Sequence, residues 1–177
     1  MRPDAHVVPL GENEVSYDEK APEGKTWKQI HIDEVKERIS EQDWARVHFM
    51  GRVPYESFLA MLQVRRVHVY LTYPFVLSWS LLEAMSAECD IVVGDKAPVK
   101  EAIIDGENEV LVDFFDPLAL VDKVDHLLND PLMRERLGQN SYETIVKNYY
   151  LRSHCLPQTM AWAHRLSQLS VKAFSKI

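Results

Sequence analysis

Tyr73-Pro74-Phe75-Val76-Leu77-Ser78-Trp79-Ser80-Leu81-Leu82-Glu83-Ala84-Met85 is the stretch that decides the fold. Ahead of it, Val67-His68-Val69-Tyr70-Leu71-Thr72 is rich in β-branched and aromatic residues, as a strand is. Behind it, residues 79–87 read as a helix, and one carboxylate, Glu83, lies on its first turns. A strand, a tight turn and a helix carrying an acid is how α/β proteins hold a nucleotide at the carboxyl end of a sheet. Glu83 is therefore the first candidate site residue.

The same alternation continues on both sides. Residues 6–10 read as a short buried strand ending at Gly11, and residues 46–50 as a strand closed by Gly51. Residues 91–93 make a strand stopped by Gly94, and residues 109–112 a fifth. Between them lie helical patterns at 27–39, 55–64 and, for one to two turns, 99–103. The acidic stretch 12–26, with Pro22 and Gly24, reads as a mobile loop. Phe58, Leu59 and Leu62 share one helical stripe, and the Met and aromatic residues of 58–62 and 81–85 are expected in the core. Strands alternating with helices imply a parallel sheet with right-handed crossovers. The fold class is thus α/β, a Rossmann-like parallel sheet of about five strands flanked by helices.

Beyond residue 112 the chain is helical. Asp116-Pro117 and Asp130-Pro131 are matching start signals: Asp caps the helix, and Pro occupies the first turn, where its missing N–H costs nothing. Gly138 inside the second pattern predicts a break or kink. The last helix is expected from about Leu151 towards Phe174, with Pro157 in its first turns. The expected organisation is one domain over 1–150 and a C-terminal helix over 151–177.

Composition narrows the function. A chain of 177 residues can bury one sizeable core. Its net charge of −7 argues against nucleic acid as a partner, because a phosphate backbone demands a basic surface. No apolar run approaches the roughly 20 residues that span a bilayer, and the first residues carry no signal-peptide core. Cys89 and Cys155 form neither a disulfide framework nor a CxxC site, which fits a reducing compartment. The expected location is cytoplasmic, either free or peripheral to the inner face of a membrane. The seven histidines show no metal spacing, and His48 and His68 fall in strand patterns.

Residues 47–130 resemble the C-terminal, nucleotide-sugar-binding domain of retaining glycosyltransferases of the GT-B fold, family four. The resemblance is carried by Val47-His48-Phe49-Met50-Gly51-Arg52-Val53-Pro54, then Val67 to Thr72, then Leu81-Leu82-Glu83-Ala84-Met85. It continues through Ile91-Val92-Val93-Gly94-Asp95 and Pro98-Val99-Lys100-Glu101-Ala102-Ile103. Asp105-Gly106-Glu107-Asn108, Val110-Leu111-Val112 and Asp116-Pro117 complete the series. It implies one half of a GT-B fold. The family's acidic motif is Glu, seven residues, Glu. The second is Glu83, and the first falls at Phe75, where the resemblance would place a contact to the donor sugar. Val76 and Ser78 stand where the family has glycines, as do Glu88 at the end of the Glu83 helix and Glu109 before the last strand. Residues 1–8 already resemble the family's second strand. The first strand, with the Arg and Lys that clamp the donor diphosphate, and the acceptor-binding domain are expected outside this sequence. Either the sheet closes differently or a partner supplies the strand, and an unpaired sheet edge would also admit a homo-oligomer.

Each candidate has a plain alternative. Glu83 accepts both hydroxyls of a ribose diol, or it closes a capping box, Ser80-x-x-Glu83, by bonding the Ser80 amide. Ser78, Trp79, Ser80 and Leu81 open a helix whose amides face a diphosphate, or face water. Gly51, Arg52 and Val53 hold the nucleobase, with Arg52 stacked on it, or Arg52 is a surface arginine beside a turn. Asp95 bonds a sugar hydroxyl or caps the next helix; Lys96 neutralises phosphate; Lys100 reads as solvated. No residue is assigned to catalysis, and neither a metal nor a cofactor is expected besides the nucleotide-diphosphate sugar.

These readings imply the donor-binding domain of an enzyme that moves a sugar from a nucleotide-diphosphate sugar to an acceptor hydroxyl with retention. A hexosyltransferase is the expected type, and the isolated chain is expected to be inactive. The alternative is a catalytically degenerate binding or interaction module of the same fold. A nucleotide-sugar epimerase of that fold is disfavoured by the Leu-Leu-Glu-Ala-Met form.

Overall fold

A computed structural model describes residues 2, 4–13, 20–72 and 76–174, with side chains as far as residue 168. The loop expected at 12–26 falls partly outside the described residues, as do Tyr73, Pro74 and Phe75. The chain divides into two compact units, Met1–Phe58 and Leu59–Ile177.

In the first unit, α1 (Trp27–Lys36) starts where the Thr26 hydroxyl accepts the Gln29 amide, and α2 (Glu41–Trp44) where Ser40 does the same for Asp43. The strands expected at 6–10 and 46–50 run side by side but pair only through isolated parallel bridges, Val7 with Val47 and Leu10 with Gly51. Pro9 is the physical reason. The Val7 amide bonds Arg46 O at 3.0 Å and the His48 amide bonds Val7 O at 2.8 Å. The next rung needs an N–H from Pro9, which has none. The stretch is not buried either: Val7, Val8 and Leu10 are exposed.

α3 (Tyr55–Val64) carries the chain into the second unit, which holds the sheet. β1 (His68–Tyr70), β2 (Ile91–Gly94) and β3 (Val110–Val112) lie side by side in that order, all parallel, with Val69 opposite Val92 and Val93 opposite Leu111. The regular sheet thus has three strands where five were expected. All four residues of β2 are buried, as a central parallel strand covered on both faces must be. On one face Val92, Val110 and Val112 pack with Leu127 and Leu137 from α5 (Pro117–Asn129) and α6 (Pro131–Asn148). α4 (Trp79–Ser86) buries Leu81, Ala84 and Met85 on one helical stripe, of which Met85 was expected in the core.

The Asp-Pro starts are borne out: Asp116 accepts the Ala119 amide at 2.8 Å and Asp130 the Met133 amide at 2.9 Å. Gly138 produces no break. α6 runs through it, and the missing side chain serves packing instead, because a Cβ there would stand 2.7 Å from Glu88 O. The short helix expected at 99–103 is one 3-10 turn, Val99–Glu101. The last helical run begins at Leu151 as expected, but not as a regular α-helix. A π turn, Leu151–Cys155, precedes α7 (Leu156–Phe174), because Pro157 cannot give the amide that regular α-helical bonding would require. Side chains 156–168 are exposed throughout.

α4 ends as the resemblance implied. Glu88 is left-handed at φ 53°, and the Cys89 amide reaches back to Ala84 O at 3.0 Å, a turn that favours glycine. Glu88→Gly is expected to raise stability by about 1 kcal/mol. Urea unfolding checks this, and a loss of stability would refute it. The following residue, Cys89, is fully buried with its thiol pushed up to about 12, chiefly by burial, so it stays an inert thiol.

Asp105-Gly106-Glu107-Asn108, part of the family resemblance, proves to be a structural turn. Gly106 takes φ 72° and gives its amide to Glu109 O at 2.7 Å. Buried Asn108 donates to Ala102 O and Thr144 Oγ1 and accepts the Ile104 amide. From α6, Arg136 reaches Gly106 O and Asn140 reaches Glu107 O.

Candidate functional site

The second unit brings several candidate residues to the carboxyl end of its sheet. Before α4, Ser78 caps the helix by accepting the Ser80 amide at 3.2 Å. This decides the first alternative. With Ser78 as the cap, Ser80 lies inside the helix, and Glu83 stands in the second turn rather than at the third helical position a capping box requires. Trp79 and Glu83 share one face of the helix, opposite the buried Leu81-Ala84-Met85 stripe, with Ser80 at the edge between the two. Glu83 is half-buried there, one turn behind a Trp79 that is 82% exposed. Leu81 is 0% exposed and its amide bonds Ser78 O at 3.2 Å, so it offers neither side chain nor amide to a ligand. Ser78 and Ser80 pair hydroxyl to hydroxyl at 2.8 Å.

β2 delivers Asp95 and Lys96. The Asp95 amide continues the ladder to Val112 O at 2.7 Å, and its carboxylate pairs with Lys100 Nζ at 2.7 Å. Asp95 caps nothing: the 3-10 turn begins at Pro98, without a side-chain cap. Lys100, read as a solvated lysine, is instead the partner of Asp95. Lys96 Nζ sits 5.5 Å from the Phe114 ring and 5.2 Å from the Phe115 ring, which meet edge to face. Ring faces hold a cation without cancelling its charge. Phe114 and Phe115 were missed in the sequence, where a lone Phe-Phe pair after a strand carries no signal. Beside them a cavity of about 420 Å³ is lined by Asp95, Asp105 and Asp113 with Lys100 alone as counter-charge, an environment that repels phosphate.

Gly51, Arg52 and Val53 belong to the first unit. Gly51 is left-handed at φ 63°, and its carbonyl accepts the Gly11 amide at 3.1 Å. They line a cavity of about 470 Å³ with Tyr55 and Phe58, whose rings lie 6.2 Å apart. Arg52 pairs with Glu12 at 3.2 Å across open solvent, a contact worth little and easily exchanged. Tyr55 carries no signal of its own in the sequence, where it only opens a helical pattern. Phe75, the position of the family's first acid, lies outside the described residues. Among the described residues no group of three or more His, Cys, Asp or Glu side chains is placed to hold a metal.

A family model described as glycosyl transferases group 1 matches residues 30–144, well over half of the chain. The chain belongs to that family. The chain is 29% identical over 98 residues to the D-inositol 3-phosphate glycosyltransferase of Corynebacterium diphtheriae, covering 55% of this chain and 23% of that protein. The chain spans about a quarter of the length of the curated relatives it matches. Among solved structures, the C-terminal domain of a glycosyl transferase group 1 family protein from Francisella tularensis aligns with a TM-score of 0.62 at 22% identity. That alignment covers 71% of this chain and 64% of that one. The Anabaena HepE protein in complex with UDP-glucose aligns with a TM-score of 0.69 at 16% identity, over 92% of this chain and 41% of that one. The fold is thus that of the C-terminal half of GT-B glycosyltransferases, as the sequence implied. No helix among the described residues is long and apolar enough to cross a membrane.

Proposed function

We propose that this group 1 domain holds the nucleotide of a nucleotide-diphosphate sugar, in a glycosyltransferase that moves the sugar to an acceptor hydroxyl with retention. The observation that carries the reading is the position of Glu83. It stands on the open face of α4, at the carboxyl end of a parallel sheet, with its capping-box alternative removed by Ser78. Glu83 accepts the two hydroxyls of the ribose. The Trp79 end of α4 and the Lys96 charge draw the diphosphate, and together they stabilise the departing nucleoside diphosphate without a metal. Within the first unit taken by itself, the resemblance gives Gly51, Arg52 and Val53 a nucleobase role, and the aromatic lining of their cavity supports it. The HepE protein is named as a complex with UDP-glucose, which supports a uridine nucleotide as the first ligand to try. A cytoplasmic location belongs to the same proposal.

The test is a calorimetric titration of the chain with UDP, GDP and UMP. Binding of a diphosphate, at least about tenfold tighter than the monophosphate, is expected from one added charge-assisted contact. Absence of heat with both diphosphates would sink the reading. A binding module without catalysis is the second reading, favoured by Val76 and Ser78 at positions where the family has glycines. Diphosphate binding without any slow hydrolysis of the sugar donor would support it.

A further inference from the structure

Glu109 is a fully buried acid, 0% exposed, at a position where the resemblance expects glycine. It stands just before β3. Its Oε2 accepts the Ile91 amide at 2.5 Å, and its Oε1 lies 2.6 Å from Ser141 Oγ on α6. The same Ser141 oxygen lies 2.8 Å from the Asn108 carbonyl. Three oxygens therefore meet around one hydroxyl hydrogen. The Asn108 carbonyl can only accept. If Ser141 donates to it, the short contact to Glu109 needs a hydrogen of its own. A carboxylic acid supplies one: Glu109 donates to Ser141, Ser141 donates to Asn108 O, and the Ile91 amide donates to Oε2. A carboxylate would leave one of these contacts oxygen against oxygen, in a site without water access.

The surrounding charges do not reverse this. Burial is the largest influence and pushes Glu109 well above the ordinary carboxyl range, while the bonds from Ser141 and Ile91 work against it. Asp90, just before β2, is a like charge that raises it further, and Arg65, just after α3, opposes. Asp90 is itself raised by burial, with Arg65 and Arg134 opposing. Cys89 beside them stays a neutral thiol.

We propose that Glu109 is held as a carboxylic acid and that its proton completes a latch tying the starts of β2 and β3 to α6. The latch is present when the proton is present. The native state keeps that proton while the unfolded chain loses it near the ordinary value of 4.5. The stabilisation is therefore complete below that value and is lost as pH rises towards and through the native one. Alkaline conditions loosen α6 from the sheet. Glu109→Gln supplies a permanent donor to Ser141 and an acceptor for Ile91, so the variant keeps the latch at every pH.

The experiment is urea unfolding of the full chain and of Glu109→Gln between about pH 5 and about pH 9. The unfolding constant of the wild type is expected to rise relative to the variant by up to about tenfold per pH unit. A ratio independent of pH overturns the proposal. If the variant does not fold, infrared spectra of the wild type at neutral pH decide. A protonated-carboxyl carbonyl band that shifts in Ser141→Ala supports the latch, and its absence overturns it.

Discussion

Glu83→Ala is expected to weaken UDP binding by about a hundredfold while leaving the unfolding curve unchanged. A vicinal diol offers two O–H donors, and a carboxylate takes both as charge-assisted bonds worth about 1.5–3 kcal/mol each. Water takes back part of that when the ligand leaves, so about 3 kcal/mol, or two factors of ten, is the expected loss. The fold is spared because α4 is anchored by Leu81, Ala84 and Met85 on the other stripe, and alanine is a good helix former. Glu83→Gln keeps the shape but not the charge, and should fall between the two. The sharper control changes the ligand. Against 2′-deoxyuridine diphosphate the wild type should lose about tenfold, the worth of one such bond, and Glu83→Ala nothing further. Equal losses in both proteins would show that the ribose is held elsewhere.

What could be read in the sequence follows the range of the interactions involved. Asp116-Pro117 and Asp130-Pro131 declare their helices because cap and first turn lie within three residues. The left-handed turn at Glu88 came only from the resemblance, since the family has glycine there. The two serines before Glu83 were not separable by spacing. Ser78 and Ser80 both precede a helical run, and only the backbone shows that Ser78 is the extended residue, at φ −84° and ψ 143°. The first two strands were over-read, since residues 6–10 are apolar enough but Pro9 removes a rung that no hydrophobic pattern records. Glu109 was read only as a lost glycine. Its role depends on Ser141, which lies 32 positions away. The aromatic hold on Lys96 depends likewise on residues beyond the next strand.

Gly138→Ala is expected to destabilise the chain by about 2 kcal/mol, although the same change inside an open helix would stabilise it by about 1 kcal/mol. The reversal comes from what faces the glycine. A Cβ would stand 2.7 Å from Glu88 O, 3.3 Å from Glu88 C and 3.6 Å from Asp90 Oδ1. The first two are backbone atoms of the residue that closes α4, so no side chain can swing aside. Glu88 is already held at φ 53°, where an L-residue has little room to move. Either α6 backs away, opening the contact around buried Leu137 and Ser141, or the α4 turn distorts. Both routes cost packing in the same core, where interiors are close-packed and do not yield by small amounts. The second route can be relieved. Glu88→Gly frees the turn, so the pair Glu88→Gly and Gly138→Ala should recover part of the loss, giving a coupling of about 1 kcal/mol in a double-mutant cycle. Urea unfolding of the four proteins measures it. A stabilised Gly138→Ala single variant would mean that α6 does not press on the end of α4. Additive changes would mean that the strain is taken up by α6 alone.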